Sequence, residues 1–321
     1  MLKVLLIKMS SMGDLVHNLP LVSDIRAHYP DALIDWVAEE AYSPIPALHP
    51  GINRVIPVAW RRWRRQLGQV ATWQEMKAFS AALRAVDYDL ILDTQGLYKS
   101  AVIARMARGC IVGGDRNSIK EGGAALFYNK RLTISRARHV IDRCRAVGAG
   151  ALGYAIDTPR VFGIQAEPLK ADWLPDAPYC VLMHAASRPE KLWSEDYWVA
   201  LGRYLHERGM FAALPWGSRE EQARSARLAA LIPGAVVPPL MGLDVAAHFL
   251  AGARVVVGLD TGFTHFAASL SRPTIGIFCD SDGEQAAVQG GAYCESFGKK
   301  GQPPDYATIL KAVDTALASV V

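Results

Sequence analysis

The chain has 321 residues, of which 51% are hydrophobic and 21% charged, and its formal net charge is +4. That length fits roughly two domains of about 150 residues, the composition excludes a disordered or fibrous chain, and the basic excess is too small to mark a nucleic-acid-binding protein. Five cysteines without a CxxC pair exclude a disulfide framework and a zinc knuckle and fit a reducing cytosol.

In the first half, buried-type strands are predicted at 2–9, 33–40, 54–60, 90–96 and 110–115. Helical periodicity falls near 17–28, 74–86, 98–107 and 138–147. A proline-rich, weakly periodic stretch at 157–178 reads as a linker, with hinge motion expected there. The pattern then repeats: strands at 179–185, 211–217, 235–240, 254–260 and 274–280, with helices near 196–208, 220–231, 244–251 and 264–270 and a last helix at 306–320. Such alternation predicts two parallel-sheet α/β domains, with a ligand cleft between the carboxyl ends of their strands. The N-terminal apolar patch is shorter than a signal peptide requires, and no apolar run reaches the ~18 residues of a membrane span.

Five stretches could carry chemistry. SSMGD (10–14) follows the first strand and puts Asp14 at a helix start. The acid either caps the helix, favoured by the N-terminal dipole, or faces the cleft as a base. No GxGxxG stands here after the first strand, so this turn lacks a dinucleotide fingerprint. In LDTGFTH (259–265), a strand ends in Asp260, and Thr261 and Gly262 open a helix whose free N–H groups suit an anion. His265 either donates to that anion or is a half-buried core histidine. In HAASRPEKLW (184–193), Lys191 is a point charge suited to a diphosphate and Ser187 offers a hydroxyl; a solvated loop is the alternative. In LPWGSREE (214–221), Glu220 and Glu221 either accept from ribose hydroxyls or complement the helix dipole. WRRWRR (60–65) sets four arginines among tryptophans, which suits an anionic lipid headgroup or a sugar acid better than nucleic acid.

Taken together, SSMGD (10–14), VIPVAWRRWRR (55–65), DTQGLYKSA (93–101), FYNK (127–130), KLW (191–193), LPWG (214–217), LAGA (250–253) and DTGFTHFAA (260–268) span nearly the whole chain in one order. In that order they resemble the bacterial lipopolysaccharide heptosyltransferases of glycosyltransferase family 9. WRRWRR points within them to the type that adds the first L-glycero-D-manno-heptose to Kdo-lipid A, rather than the second-heptose type. The resemblance implies a GT-B fold, that is, two Rossmann-like domains with a ligand cleft between them. Residues 1–157 would bind the acceptor and 158–321 the nucleotide sugar, with the C-terminal helix packing back on the first domain. It implies inverting transfer from ADP-L-glycero-β-D-manno-heptose with no cofactor and no metal. The expected partners are that donor, Kdo-lipid A and the inner-membrane surface, with no nucleic acid. The expected state is a monomer, peripheral on the cytoplasmic face.

The same resemblance assigns roles. Asp14 matches the general base, with Ser10 and Gly13 beside it on the acceptor side. Lys191, Thr261, Gly262 and His265 match diphosphate and sugar-phosphate contacts, with Ser187 near them and Asp260 near the heptose hydroxyls. Glu221 matches the ribose acid, and Met241 falls where the adenine pocket is lined. Arg61, Arg62, Arg64, Arg65, Lys99 and Lys120 match the basic surface for Kdo and lipid A phosphates. Two departures stand out. Ala186 and Ser187 stand where a pair of threonines is familiar, and Lys120 keeps a charge without arginine's fork. The alternatives are a related GT-B enzyme with another nucleotide sugar, a two-lobed binding protein, and a basic RNA-binding protein.

Overall fold

KVLLI forms β1 (Lys3–Ile7), and it reads as a continuous apolar run because it lies inside a parallel sheet covered on both faces. The computed structural model describes residues 1–281 and 283–319 and divides into two compact units, Met1–Ile164 and Gln165–Val321.

In the first unit β1 is followed by α1 (Met12–His28), β2 (Leu33–Glu39), α2 (Pro44–Ala47), β3 (Arg54–Val58), α3 (Trp60–Trp63) and α4 (Val70–Arg84). Then come β4 (Asp87–Asp93), α5 (Tyr98–Met106), β5 (Arg108–Gly114), β6 (Lys130–Leu132) and α6 (Val140–Leu152). The six strands form a parallel sheet in the order β3-β2-β1-β4-β5-β6. Leu5, Ile7, Val37, Ile91 and Ile111 meet Trp63, Phe79, Leu83 and Ala101 in one core layer. Helices α1 and α6 pack against each other, and the buried Arg145–Asp24 pair (2.7 Å) joins them.

The second unit runs β7 (Tyr179–Met183), α7 (Glu195–Glu207), β8 (Phe211–Ala213), α8 (Arg219–Leu231), α9 (Leu243–Ala251), β9 (Val255–Leu259) and α10 (Gly262–Ser269). It ends with β10 (Thr274–Ile277), α11 (Gly283–Ala286), β11 (Cys294–Phe297) and α12 (Tyr306–Ala318). Its five strands are also parallel, in the order β11-β10-β9-β7-β8.

The structure departs from the sequence reading in four places. First, α1 begins at Met12 rather than near 17, because Ser11 and Asp14 form a capping box that starts the helix early. Second, 235–240 is not a strand. Val236 makes one isolated bridge to Ala213, and Pro238 and Pro239 lack the N–H groups a ladder needs. Third, the edge strands β6 and β11, KRL and CESF, were not predicted because their polar sequences carry little apolar signal. Fourth, the first part of the expected linker belongs to the first unit: Arg145 binds the Thr158 carbonyl and hydroxyl, and Phe162 and Ile164 are buried.

Ile309, Ala312, Val313 and Ala316 of α12, the last helix, pack into the second unit's core against β9, β10 and β11. Residue 320 of the expected span lies outside the described residues.

Candidate active site

Both sheets reverse their strand order beside their first strand. In the first unit the chain leaves β1 toward β2 and later returns to its other side as β4; in the second it leaves β7 toward β8 and returns as β9. The loops after such a pair of strands part in opposite directions and leave a crevice at the carboxyl ends. The polar residues of each unit gather there.

In the first unit Asp93 closes β4 and braces the next loop. Its Oδ1 accepts from the backbone N–H of Gln95 (2.9 Å) and Gly96 (3.1 Å). Its Oδ2 accepts from the hydroxyls of Ser100 (2.9 Å) and Tyr128 (2.8 Å). Burial raises the Asp93 pKa, against the pull of these hydrogen bonds. Gly96 is required in the loop: its φ of +67° is left-handed, and a Cβ there would stand 2.8 Å from Ile119.

The braced loop grips the one after β1. Gln95 Oε1 accepts from the N–H of Met9 (2.7 Å) and Ser10 (3.2 Å), and its Nε2 donates to the Ser10 carbonyl. Buried Lys8 donates to the Thr94 carbonyl (2.8 Å), and Lys99 donates to the Ser10 hydroxyl (2.8 Å). Lys99 has a lowered pKa through burial and the nearby Arg61 charge, against the pull of Glu39, Asp14 and Glu121.

Asp14 sits on this platform. Its Oδ2 accepts from the Ser11 N–H (2.7 Å) and hydroxyl (2.9 Å), so the helix-capping alternative holds for that oxygen. Its Oδ1 has no hydrogen-bond donor among the described residues and lies 3.9 Å from Lys8 Nζ. One carboxylate thus caps the helix and still presents an oxygen. It lines a cavity of about 310 Å³ with Lys8, Lys120, Arg136, Arg143 and Cys144. Gly13 lies in the first turn of α1.

In the second unit the partner residues close on each other. Lys191 reaches across the switch point to the Asp260 carboxylate (2.7 Å) and carbonyl (3.1 Å). Ser281 donates to the same carboxylate (2.7 Å), and His265 Nε2 lies 3.5 Å from its other oxygen. Burial alone would raise the Asp260 pKa, but hydrogen bonds from His265, Lys191 and Ser281, with the Lys191 charge, hold it far below the carboxylate range. Thr261 is the extended N-cap of α10 and Gly262 its first residue, so the helix presents its opening N–H groups beside this cluster.

The other expected residues are placed as follows. Ser187 is exposed and makes no hydrogen bond among the described residues, whereas its neighbour Arg188 pairs with Asp280 at 2.8 Å. Glu221 folds back on its own helix start and accepts from the Gly217 N–H (2.7 Å). Met241 is half-buried just ahead of α9. Arg62 is held by Glu40 (3.0 Å) and Glu75 (2.9 Å). Arg61 donates to the Tyr42 hydroxyl and lies over its ring, while Arg64 and Arg65 are exposed without a side-chain partner among the described residues. Sequence reasoning missed Lys8, Gln95, Arg136, Arg143 and Ser281. Only Gln95 had a local signal, the DTQG that ends a strand.

Among the described residues no three or more His, Cys, Asp or Glu side chains are grouped to hold a metal ion, and no helix is long and apolar enough to cross a membrane. Two parallel-sheet units, each with its polar cluster at a switch point, make up the GT-B fold. The family model for glycosyltransferase family 9 (heptosyltransferase) matches residues 76–295. The chain belongs to this family. It is 42% identical over 279 residues to lipopolysaccharide heptosyltransferase 1 of Pseudomonas aeruginosa, covering 86% of this chain and 78% of that one. The structure of the Escherichia coli heptosyltransferase WaaC with ADP superposes with a TM-score of 0.88 at 34% identity, covering 98% of this chain and 100% of that one. The same enzyme with ADP-2-deoxy-2-fluoro heptose gives 0.84 at 35% identity, covering 98% and 99%.

Proposed function

We propose that the protein transfers L-glycero-D-manno-heptose from ADP-L-glycero-β-D-manno-heptose to a Kdo residue of Kdo-lipid A, with inversion and without a metal ion. The observation that carries this is the Oδ1 of Asp14, which has no hydrogen-bond donor among the described residues and lies in a cavity shared with Lys8, Lys120, Arg136 and Arg143. A base set among cations suits an acceptor that is both a hydroxyl nucleophile and an acid, as a Kdo sugar is. The likeness to heptosyltransferases 1, and to one bound to an ADP-heptose analogue, supports the donor.

Asp14 Oδ1 takes the proton of the acceptor hydroxyl as its oxygen bonds to the anomeric carbon. The bond from that carbon to the ADP oxygen breaks, and ADP leaves with the electron pair. One displacement inverts the centre and needs no covalent intermediate. The developing charge on ADP is met by Lys191 and the opening N–H groups of α10. Glu221 and Met241 hold the ribose and adenine ends. Arg61, Arg64 and Arg65 serve acceptor phosphates, and the enzyme works as a monomer at the cytoplasmic face of the inner membrane.

The test is mass spectrometry of products from purified protein given Kdo-lipid A with ADP-heptose or with UDP and GDP sugars. A single heptose added from ADP-heptose is expected. Transfer from another nucleotide sugar instead, or none at all, would overturn the proposal.

A further inference from the structure

From the end of α3 through the first turn of α4 the chain exposes most of its apolar side chains. Leu67 is 51% exposed, Val70 73% and Trp73 57%. The turn is ordered by backbone hydrogen bonds from Gln66 to Trp63, Gln69 to Gln66 and Thr72 to Gln69. The Trp73 indole N–H donates to the Leu67 carbonyl (2.8 Å), which satisfies the polar edge of the ring within the turn. Its inward side is anchored: Trp63 and Thr72 are buried, and Trp63 packs on Phe79. Three large apolar groups therefore stand outward on a fixed base.

Charge decides what covers them. Arg62 is neutralised by Glu40 and Glu75, but the next two arginines, Arg64 and Arg65, have no acidic partner among the described residues. Tryptophan and leucine flanked by free arginines suit the headgroup boundary of an anionic bilayer. We infer that residues 64–73 are the membrane-seating edge of the first unit, with Leu67, Val70 and Trp73 entering the headgroup–acyl boundary and Arg64 and Arg65 meeting lipid phosphates.

This rests on the proposed function only in placing the enzyme at a membrane, and the test separates the two. The full chain is sedimented with vesicles of phosphatidylethanolamine and phosphatidylglycerol, and with phosphatidylcholine alone, in the absence of Kdo-lipid A. The wild type should partition to the anionic vesicles. The combined variant Leu67→Ser, Val70→Ser, Trp73→Ser should lose at least about tenfold of that partition. Both should transfer heptose equally to a water-soluble, deacylated acceptor. Brominated phosphatidylglycerol should quench wild-type fluorescence, with the quenched component missing in Trp73→Phe, a substitution that keeps an apolar ring and gives up the N–H bond to the Leu67 carbonyl. Equal partition of wild type and variant, no wild-type binding, or loss of a wild-type dimer in the variant would overturn the inference. Failure of the wild type on the soluble acceptor would instead overturn the proposed function and leave the vesicle result standing.

Discussion

Asp14 and Asp260 both stand at or next to the start of a helix beside a switch point, Asp14 after the first strand of its sheet and Asp260 after the strand that returns to the first strand's other side. Their surroundings differ. Asp260 has Lys191, Ser281 and His265 on its two oxygens, and its side chain is 16% exposed. Asp14 has both Ser11 donors on one oxygen and only a distant lysine by the other, and its side chain is 38% exposed. The same strand–turn–helix device thus yields a carboxylate closed on a cation in one unit and a carboxylate with one oxygen clear of hydrogen-bond donors among the described residues in the other. Partners, rather than position in the fold, set the role.

The comparison is broken most sharply from the donor side. Lys191→Ala should remove the cation that Asp260 positions and lower transfer by about a thousandfold, measured by single-turnover assay with bound donor. A loss under tenfold would mean the helix start meets the diphosphate unaided. On the acceptor side, Arg143→Ala should raise the KM for Kdo-lipid A by about tenfold while leaving ADP affinity unchanged by calorimetry. Equal losses in both would make the arginine structural. Gln95→Ala removes the acceptor for the N–H groups of Met9 and Ser10. We expect kcat to fall severalfold with little change in KM, and the melting temperature to fall by the equivalent of about 1–3 kcal/mol. Arg62→Ala should change acceptor KM by no more than about twofold, since its guanidinium already serves Glu40 and Glu75.

The two units should respond alike to acid. His49 in the first and His184 in the second are buried, and burial, with the nearby charges of Arg26 and Arg224 respectively, lowers each pKa from 6.5 to about 4. The unfolded chain then takes up protons first as the pH falls. Stability is full above about 6.5 and drains between 6.5 and 4, by on the order of 3 kcal/mol per histidine. Thermal melts across that window should show less acid loss in His49→Asn and His184→Asn than in the wild type.

Most of the fold was legible because parallel strands covered on both faces leave unbroken apolar runs, as in KVLLI and VVVGL. The edge strands KRL and CESF were not, since a half-solvated edge needs no such run. The site was legible where one motif carries it: SSMGD and DTG each set an acid at a helix opening. Its second half was hidden. Lys191 and Asp260 lie 69 residues apart, and Gln95 and Ser10 lie 85 apart, so only the return of the chain to the far side of the first strand joins them. Whether Asp14 capped or faced a cavity was an open choice in sequence because the answer divides between two atoms of one side chain. Arg62 looked equivalent to Arg64 in WRRWRR, and only the carboxylates of Glu40 and Glu75, brought from elsewhere, tell them apart.

The difference between the two acids is tested most directly by comparing Asp14→Asn and Asp260→Asn in single-turnover transfer, with ADP affinity measured on the same preparations. Asparagine at 14 keeps an oxygen for the Ser11 cap but cannot take a proton. Transfer should therefore fall about a hundredfold or more with ADP affinity intact, while Asp260→Asn should weaken ADP binding by releasing Lys191. Near-normal transfer by Asp14→Asn, or the same pattern of losses in both variants, would contradict the account.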